Sequence, residues 1–323
     1  MAESAISVSA GNFPLEKRRR GFWSSFFIRL VKRKPLGLIG GIICLLLLLV
    51  GIFANFLAPY GFDEIHPTDS LVPPSSTYIL GTDNLGRDLL SRIIYGARLS
   101  VIVGFAATTF SILISVFIGL TTGYFGGKFD LLVQRIVDAW MCFPGLIILI
   151  VAVSFIGPGM WQIIIILGLQ YGIAGSRIVR SSVVSTRENM YIEAARATGV
   201  GTSRMLLRQI LPNIMAPIII LFTTRLGAVI LAEASMSFLG LGIPPPAPSW
   251  GGMLSGTGRS YMIMAPWIAI FPGIVLSIVV YGINVFGDAV RDLLDPKLRG
   301  GGGRYTSKTK KGKKKKKATG FDE

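Results

Sequence analysis

Six stretches of this chain are too apolar, and most of them too long, to be strands or helices of one water-soluble core. Residues 37–57, 99–120, 131–156, 160–175, 214–240 and 266–286 are built almost wholly from Leu, Ile, Val, Phe, Ala and Gly. About 20 apolar residues in a helix cross the hydrocarbon of a bilayer. With no water there, every backbone N–H and C=O must be bonded within the segment, so such runs fold as helices. The expected fold class is all-α integral membrane, with six transmembrane helices. Only 15% of the 323 residues are charged, against about 25% in an ordinary soluble domain. The first run is too long for a signal peptide and no small-residue cleavage site follows it, so it reads as an uncleaved helix. The run at 160–175 is short and glycine-containing. Without it the count would be five and the C-terminus would change sides.

Charge fixes the orientation expected. With six spans, both termini share a side with the 121–135 and 176–213 loops, and that side holds nearly all the Lys and Arg. The other side keeps Arg87, Arg92 and Arg259, with Arg98 at its border. This asymmetry makes the termini cytoplasmic. The chain then divides into a basic cytoplasmic segment (1–35), a first transmembrane helix (36–58), an extracytoplasmic loop (59–97), a transmembrane domain (98–290) containing a cytoplasmic loop (176–213), and a basic cytoplasmic tail (291–323). The net charge of +16 is concentrated at 308–317 and 17–34, not in a groove-shaped patch, which argues against a nucleic-acid partner. The lysine tail suits either a solvated disordered run or attraction to anionic membrane lipid, worth about 1 kcal/mol per basic residue near the surface.

Cys44 and Cys142 fall in apolar runs and read as small buried hydrophobes. His66 has no neighbouring ligand for a metal. In the 241–265 loop, Pro244, Pro245, Pro246 and Pro248 impose a stiff extended turn, and Trp250 suits a headgroup-level anchor.

The cytoplasmic loop is the most informative segment. Ser185 followed by Glu188 is a capping-box pattern that predicts a helix from Ser185 to Thr198, with Gly199 as its stop. Tyr191, Ala194, Ala195 and Thr198 share one face. A second short helix is expected from Thr202 or Ser203 to Pro212, with Leu206, Leu207, Ile210 and Leu211 as its apolar stripe and Arg204 and Arg208 polar. Two such helices make either a knob projecting into the cytoplasm or a helical loop lying on the headgroups.

Here the residues resemble a known family. Glu193-Ala194-Ala195, Gly199 and Ile210-Leu211-Pro212 are similar to the EAA loop of ABC importer permeases. Gly81-Thr82-Asp83, Gly86-Arg87-Asp88, Ser91-Arg92, the 232–242 block, Pro248-Ser249-Trp250-Gly251 and the 287–296 block resemble the C-type permease subunit of dipeptide, oligopeptide and nickel importers. The resemblance covers roughly residues 30–300. It implies a type I ABC importer permease fold in which Tyr191, Glu193, Ala194, Ala195, Gly199, Arg204, Leu211 and Pro212 dock a cytoplasmic ATPase. It also implies a heterodimer with a homologous B-type permease subunit, two ATPase subunits and an extracytoplasmic solute-binding protein. Asp83, Arg87, Asp88 and Arg92 are candidate contacts for the binding protein, or a local structural cluster in which Asp88 and Arg92 pair at i,i+4. The implied cargo is di- or oligopeptides, with nickel complexes and oligosaccharides as alternatives.

The chain holds no fuel site of its own. A phosphate-binding loop needs glycines followed by Lys and Ser or Thr. Gly81 and Gly86 have that spacing, but Arg87-Asp88 follow them. No nucleophile elbow or metal triad accompanies them. No cofactor is expected on this chain, and ATP and Mg belong to the partner ATPases. Inside the membrane, where a charge costs about 2.5–3.5 kcal/mol, three charged residues stand out. Asp138 has Arg135 at i−3 and reads as structural. Arg225 and Glu233 are eight positions apart, about 12 Å along a helix, so each needs a partner elsewhere, as pathway lining or interhelix glue. An ion-coupled secondary transporter would show internal repeats and interrupted helices with midplane carboxylates. A membrane scaffold would have no use for a long motif-bearing outer loop.

Overall fold

The computed structural model describes residues 30–31 and 34–294. The basic N-terminal run and the lysine tail of the sequence reading lie almost wholly outside these residues. Among the described residues the chain is helical, with a single isolated bridge between Thr82 and Asp88. Five helices are long and apolar enough to cross a bilayer: α1 (Pro35–Ile52), α2 (Leu89–Phe125), α5 (Met160–Arg187), α7 (Met215–Phe238) and α9 (Trp267–Leu294). Between α2 and α5 lie α3 (Gly127–Met141) and α4 (Gly145–Ile156). Between α5 and α7 lies the short α6 (Met190–Ala197), and between α7 and α9 the shorter α8 (Trp250–Leu254).

The third apolar run is not one continuous span. α3 and α4 meet at 87° across residues 142–144. Pro144 has no N–H to continue the helix, and the residue before a proline is driven out of the α region. Counted as one crossing, the bent pair completes six. Cys142 sits at this bend and is exposed, not buried as its apolar setting implied. The run at 160–175 proves to be the secure one. α5 has 28 residues, and its polar continuation past Gly175 is absorbed by partners on α3. Arg180 makes a bidentate pair with Asp130, at 2.6 and 2.5 Å, and Arg177 bonds Asp138.

The α2–α5 seam is made of small residues. A Cβ added at Gly119 would lie 2.6 Å from Val179 Cβ, and one at Gly172 would lie 2.8 Å from Ile114 Cβ. The backbones approach this closely because neither glycine carries a side chain. Ser115 Oγ donates to the Gly172 carbonyl at 2.8 Å across the same seam. α1 lies on α9, tied by Lys34 Nζ to Asp292 Oδ2 at 2.5 Å. At its other end, Arg98 of α2 donates to the Gly51 and Ile52 carbonyls and to Asn55. It thereby satisfies carbonyls that the helix end leaves without partners. Trp250 is no surface anchor. It is fully buried, packs on Gly96, and donates Nε1–H to the Ile93 carbonyl at 3.1 Å.

Candidate functional site

The loop between α5 and α7 forms an elbow at one end of the bundle. Its first helix does not begin at Ser185. α5 runs on to Arg187 because Val179 and Val183 are locked, fully buried, against Gly119 and Gly123 of α2. Tertiary packing overrides the capping box. The break falls at Glu188–Asn189, Asn189 precedes α6, and α6 ends at Ala197. Gly199 then takes φ = 76°, a left-handed turn that glycine adopts without steric cost. Its N–H bonds to the Arg196 carbonyl, and the Val200 N–H to that of Ala195.

The segment from Thr202 begins α-helical but winds as a π-helix over Met205–Ile210, then returns to α through Leu211–Asn213. Pro212 therefore sits inside the continuation and does not end it. The wider winding changes which residues face inward. Met205, Ile210 and Ile214 are fully buried, whereas Leu207 of the expected stripe is 60% exposed.

α6 has one buried residue. Ile192 is fully buried against Val179, Val183, Met205 and Ile210. Ala195 is half-buried beside it. Tyr191, Glu193, Ala194, Thr198, Gly199 and Arg204 are exposed, as is Pro212, and Leu211 is half-buried. Among the described residues Glu193 has no ion pair. Two arginines that sequence reasoning did not single out tie the elbow to the end of α2. Arg187 donates to the Tyr124 carbonyl at 2.9 Å, and the Arg196 guanidinium stands 5.7 Å from the Tyr124 ring centre. Their long separation from Tyr124 in sequence hides both contacts.

The charged residues at membrane depth each have a partner. Arg225 stands over the Tyr171 ring at 5.3 Å. Glu233 is 3% exposed and accepts from Ser237 Oγ at 2.7 Å on its own helix. Asp138 bonds Arg177 of α5, with Arg135 farther off at 3.7 Å and mostly exposed. The expected Arg135 partner is thus secondary.

At the opposite end of the bundle, Asp83, Arg87, Asp88 and Arg92 are all buried. Asp88 and Arg92 do not pair through their side chains. Asp88 caps α2, accepting from Ser91 N at 2.8 Å and Ser91 Oγ at 2.7 Å. Asp83 takes Arg87 Nε at 2.7 Å and lies 3.6 Å from Arg92 Nε. Arg92 Nη1 reaches the Phe62 carbonyl at 2.9 Å. An N-cap and a bifurcated ion cluster replace the single i,i+4 pair, because the loop between α1 and α2 folds back over the start of α2.

Residues 115–300 match the family described as binding-protein-dependent transport system inner membrane component, and residues 21–74 match the N-terminal transmembrane domain of oligopeptide transport permease C. The chain belongs to this permease family. The permease is 41% identical over 277 residues to a dipeptide transport system permease protein of Alkalihalophilus pseudofirmus, covering 86% of this chain and 90% of that one. It is 37% identical to a glutathione transport system permease protein of Pectobacterium atrosepticum, covering 88% and 94%. With a di/tripeptide transport system permease protein of Pseudomonas aeruginosa it shares 36% identity, covering 86% and 92%. In fold, it superposes on a chain of the inward-facing MetNI methionine ABC transporter with a TM-score of 0.51 at 19% identity, covering 64% of this chain and 98% of that chain. The permease is a multi-pass inner-membrane transport subunit of the ABC importer type.

Proposed function

We propose that this permease forms half of the translocation pathway of an ATP-driven importer of di- or oligopeptides, and that its α6 elbow is where a cytoplasmic ATPase subunit docks. The observation that carries this is the build of the elbow: one buried anchor, Ile192, beneath an exposed face holding Tyr191, Glu193, Ala194 and Arg204. A helix held to its own protein by one side of its surface offers the other side to a partner. The peptide cargo is supported by the dipeptide, di/tripeptide and glutathione relatives. The remaining parts are a homologous B-type permease subunit, a second ATPase and an extracytoplasmic solute-binding protein. In this reading the elbow and both termini are cytoplasmic, and ATP and Mg are bound by the ATPases alone.

Force on α6 has two routes inward. Ile192 presses on Val179 and Val183 of α5. Arg187 and Arg196 link the elbow to Tyr124 at the end of α2. The π-helical stretch leads through the α-turn Leu211–Asn213 into α7, and π-bulges in helices are frequent at functional sites. ATP-driven closure of the docked subunits would then favour one of two helix packings over the other, to the extent of the differential affinity of the partner for each.

The test is co-purification from membranes expressing all subunits. Glu193→Arg reverses an exposed charge without touching the Ile192 anchor, so it should remove the ATPase while leaving the permease pair intact. An ATPase retained at wild-type yield would refute the docking role. A permease that moves dipeptide with no ATPase present would refute the function.

A further inference from the structure

At the end of the bundle opposite the elbow, the outer loop and the proline-rich loop enclose a cavity of about 310 Å³. Its walls differ in chemistry. Arg87, Arg92 and Asp83 form one wall. Leu89, Ile243, Met253 and Ile268 give it an apolar body. Ser237, Ser255 and Thr257 add hydroxyls.

The charged wall holds two guanidinium groups and one carboxylate, and Asp63 outside the wall acts on Arg92, so Arg87 is the guanidinium left facing the cavity with Asp83 alone. Asp88, the next carboxylate along the chain, is spent on the α2 cap. Glu233 is held through Oε1 by Ser237 Oγ and is not itself on the wall. Arg87 gives only its Nε to Asp83, at 2.7 Å. Among the described residues, neither terminal nitrogen of Arg87 has a hydrogen bond. Asp83 in turn is fixed by the Leu85 and Arg87 backbone N–H groups, at 2.9 and 3.0 Å. The guanidinium is therefore held in place by one edge while its forked end stays available. That fork matches a carboxylate, with two parallel charge-assisted bonds.

The volume is at the low end for ligand pockets, about 300–1,000 Å³. It suits one or two residues and excludes a folded partner. A carboxylate joined to an apolar body is the C-terminal residue of a short peptide. We propose that this cavity receives the C-terminal carboxylate and last side chain of the transported peptide, with Arg87 taking the carboxylate. The proposal rests on the peptide-import reading and adds a recognition site within the permease itself.

The test uses the complete importer, with its binding protein, in proteoliposomes. Uptake of Ala-Leu is compared with that of its C-terminal amide. Preference exerted by the binding protein is the same in every preparation, so it cancels when each variant is divided by wild type. Arg87→Lys keeps the charge and removes the fork. It should raise KM for the free acid about tenfold, the loss expected for one charge-assisted interaction, and leave the amide unchanged. Gly256 lines the same cavity, and a Cβ added there meets nothing within 4 Å. The first carbon of a side chain is thus accommodated there, and Gly256→Leu should raise KM for Ala-Leu more than for Ala-Gly. It decides the matter on its own if Arg87→Lys fails to assemble. Equal effects of Arg87→Lys on acid and amide would point to a purely structural arginine or a partner's acidic loop, and would overturn the proposal. So would a Gly256→Leu permease that treats Ala-Leu and Ala-Gly alike. A wild-type complex that takes up no dipeptide overturns the peptide reading itself; normal uptake with unchanged ratios overturns the cavity assignment alone.

Discussion

Replacing Gly119 by alanine should loosen the seam between α2 and α5, and the size of the effect follows from the geometry. The new Cβ would lie 2.6 Å from Val179 Cβ and 2.8 Å from the Arg180 backbone nitrogen. Carbon atoms pack at about 3.5–4.0 Å. Backbone cannot swing aside, so the helices must part by about 1 Å. A gap of that order forfeits about a quarter to a half of each contact, worth roughly 0.1–0.2 kcal/mol apiece. With about 20 atom pairs across the crossing, roughly 0.5–2 kcal/mol is lost. Stretching the Ser115–Gly172 hydrogen bond adds about 0.6 kcal/mol, the average for such bonds in a membrane. The clash term is therefore about 2 kcal/mol, inside the usual range for overpacking. Alanine returns up to about 1 kcal/mol by favouring helix over glycine, so the variant alone understates the clash. Gly273→Ala in α9 supplies the correction, because its added Cβ meets only Leu254 Cδ2, at an ordinary 3.5 Å. Both variants are unfolded with SDS from mixed micelles and followed by circular dichroism. Gly119→Ala should be less stable than Gly273→Ala by about 2 kcal/mol. Coincident unfolding curves would show that the seam is not close-packed as described.

Other outcomes follow from single contacts. Asp130 and Arg180 join α3 to α5 with side chains 14% and 34% exposed, so a double-mutant cycle with Asp130→Asn and Arg180→Gln should give a coupling of about 1 kcal/mol; a coupling of zero in the same SDS titration would remove the pair as a tether. In the loop between α1 and α2, Tyr78 donates to Asp69 at 2.8 Å, and this bond, followed by desolvation, pushes the phenol up from 10.0 to about 12. The folded-state value is the higher one, so the contribution to stability is complete below pH 10 and is lost as pH rises toward 12. Alkaline titration at the tyrosinate absorption band should show a late-ionising phenol in the wild type that is missing from Tyr78→Phe. A wild-type titration identical to that of Tyr78→Phe apart from one normal phenol would refute the contact.

Much of this protein was legible from apolar run length, because a bilayer accepts few backbone solutions. The elbow was legible too, from Glu193-Ala194-Ala195 and Gly199. Its boundaries were not. Ser185 carries a cap signature, yet Val183 lies fully buried against α2 and keeps the helix going. Leu207 was expected inside, yet a π-helical turn hands that place to Met205, while Ile210 is buried as expected. Local pairs were the least readable. Asp138 was matched to the nearby Arg135, and Asp88 to the nearby Arg92. Their actual partners are Arg177 on another helix and Ser91 at the cap.

The sequence alone determined that the chain is a bundle of membrane-crossing helices, since hydropathy and backbone satisfaction act within one segment. Only the tertiary structure decided which glycines let helices touch, and that Arg87, Arg92 and Asp83 line one cavity with the far end of α7. Those outcomes depend on atoms that lie far apart along the chain, and short-range spacing carries no information about them.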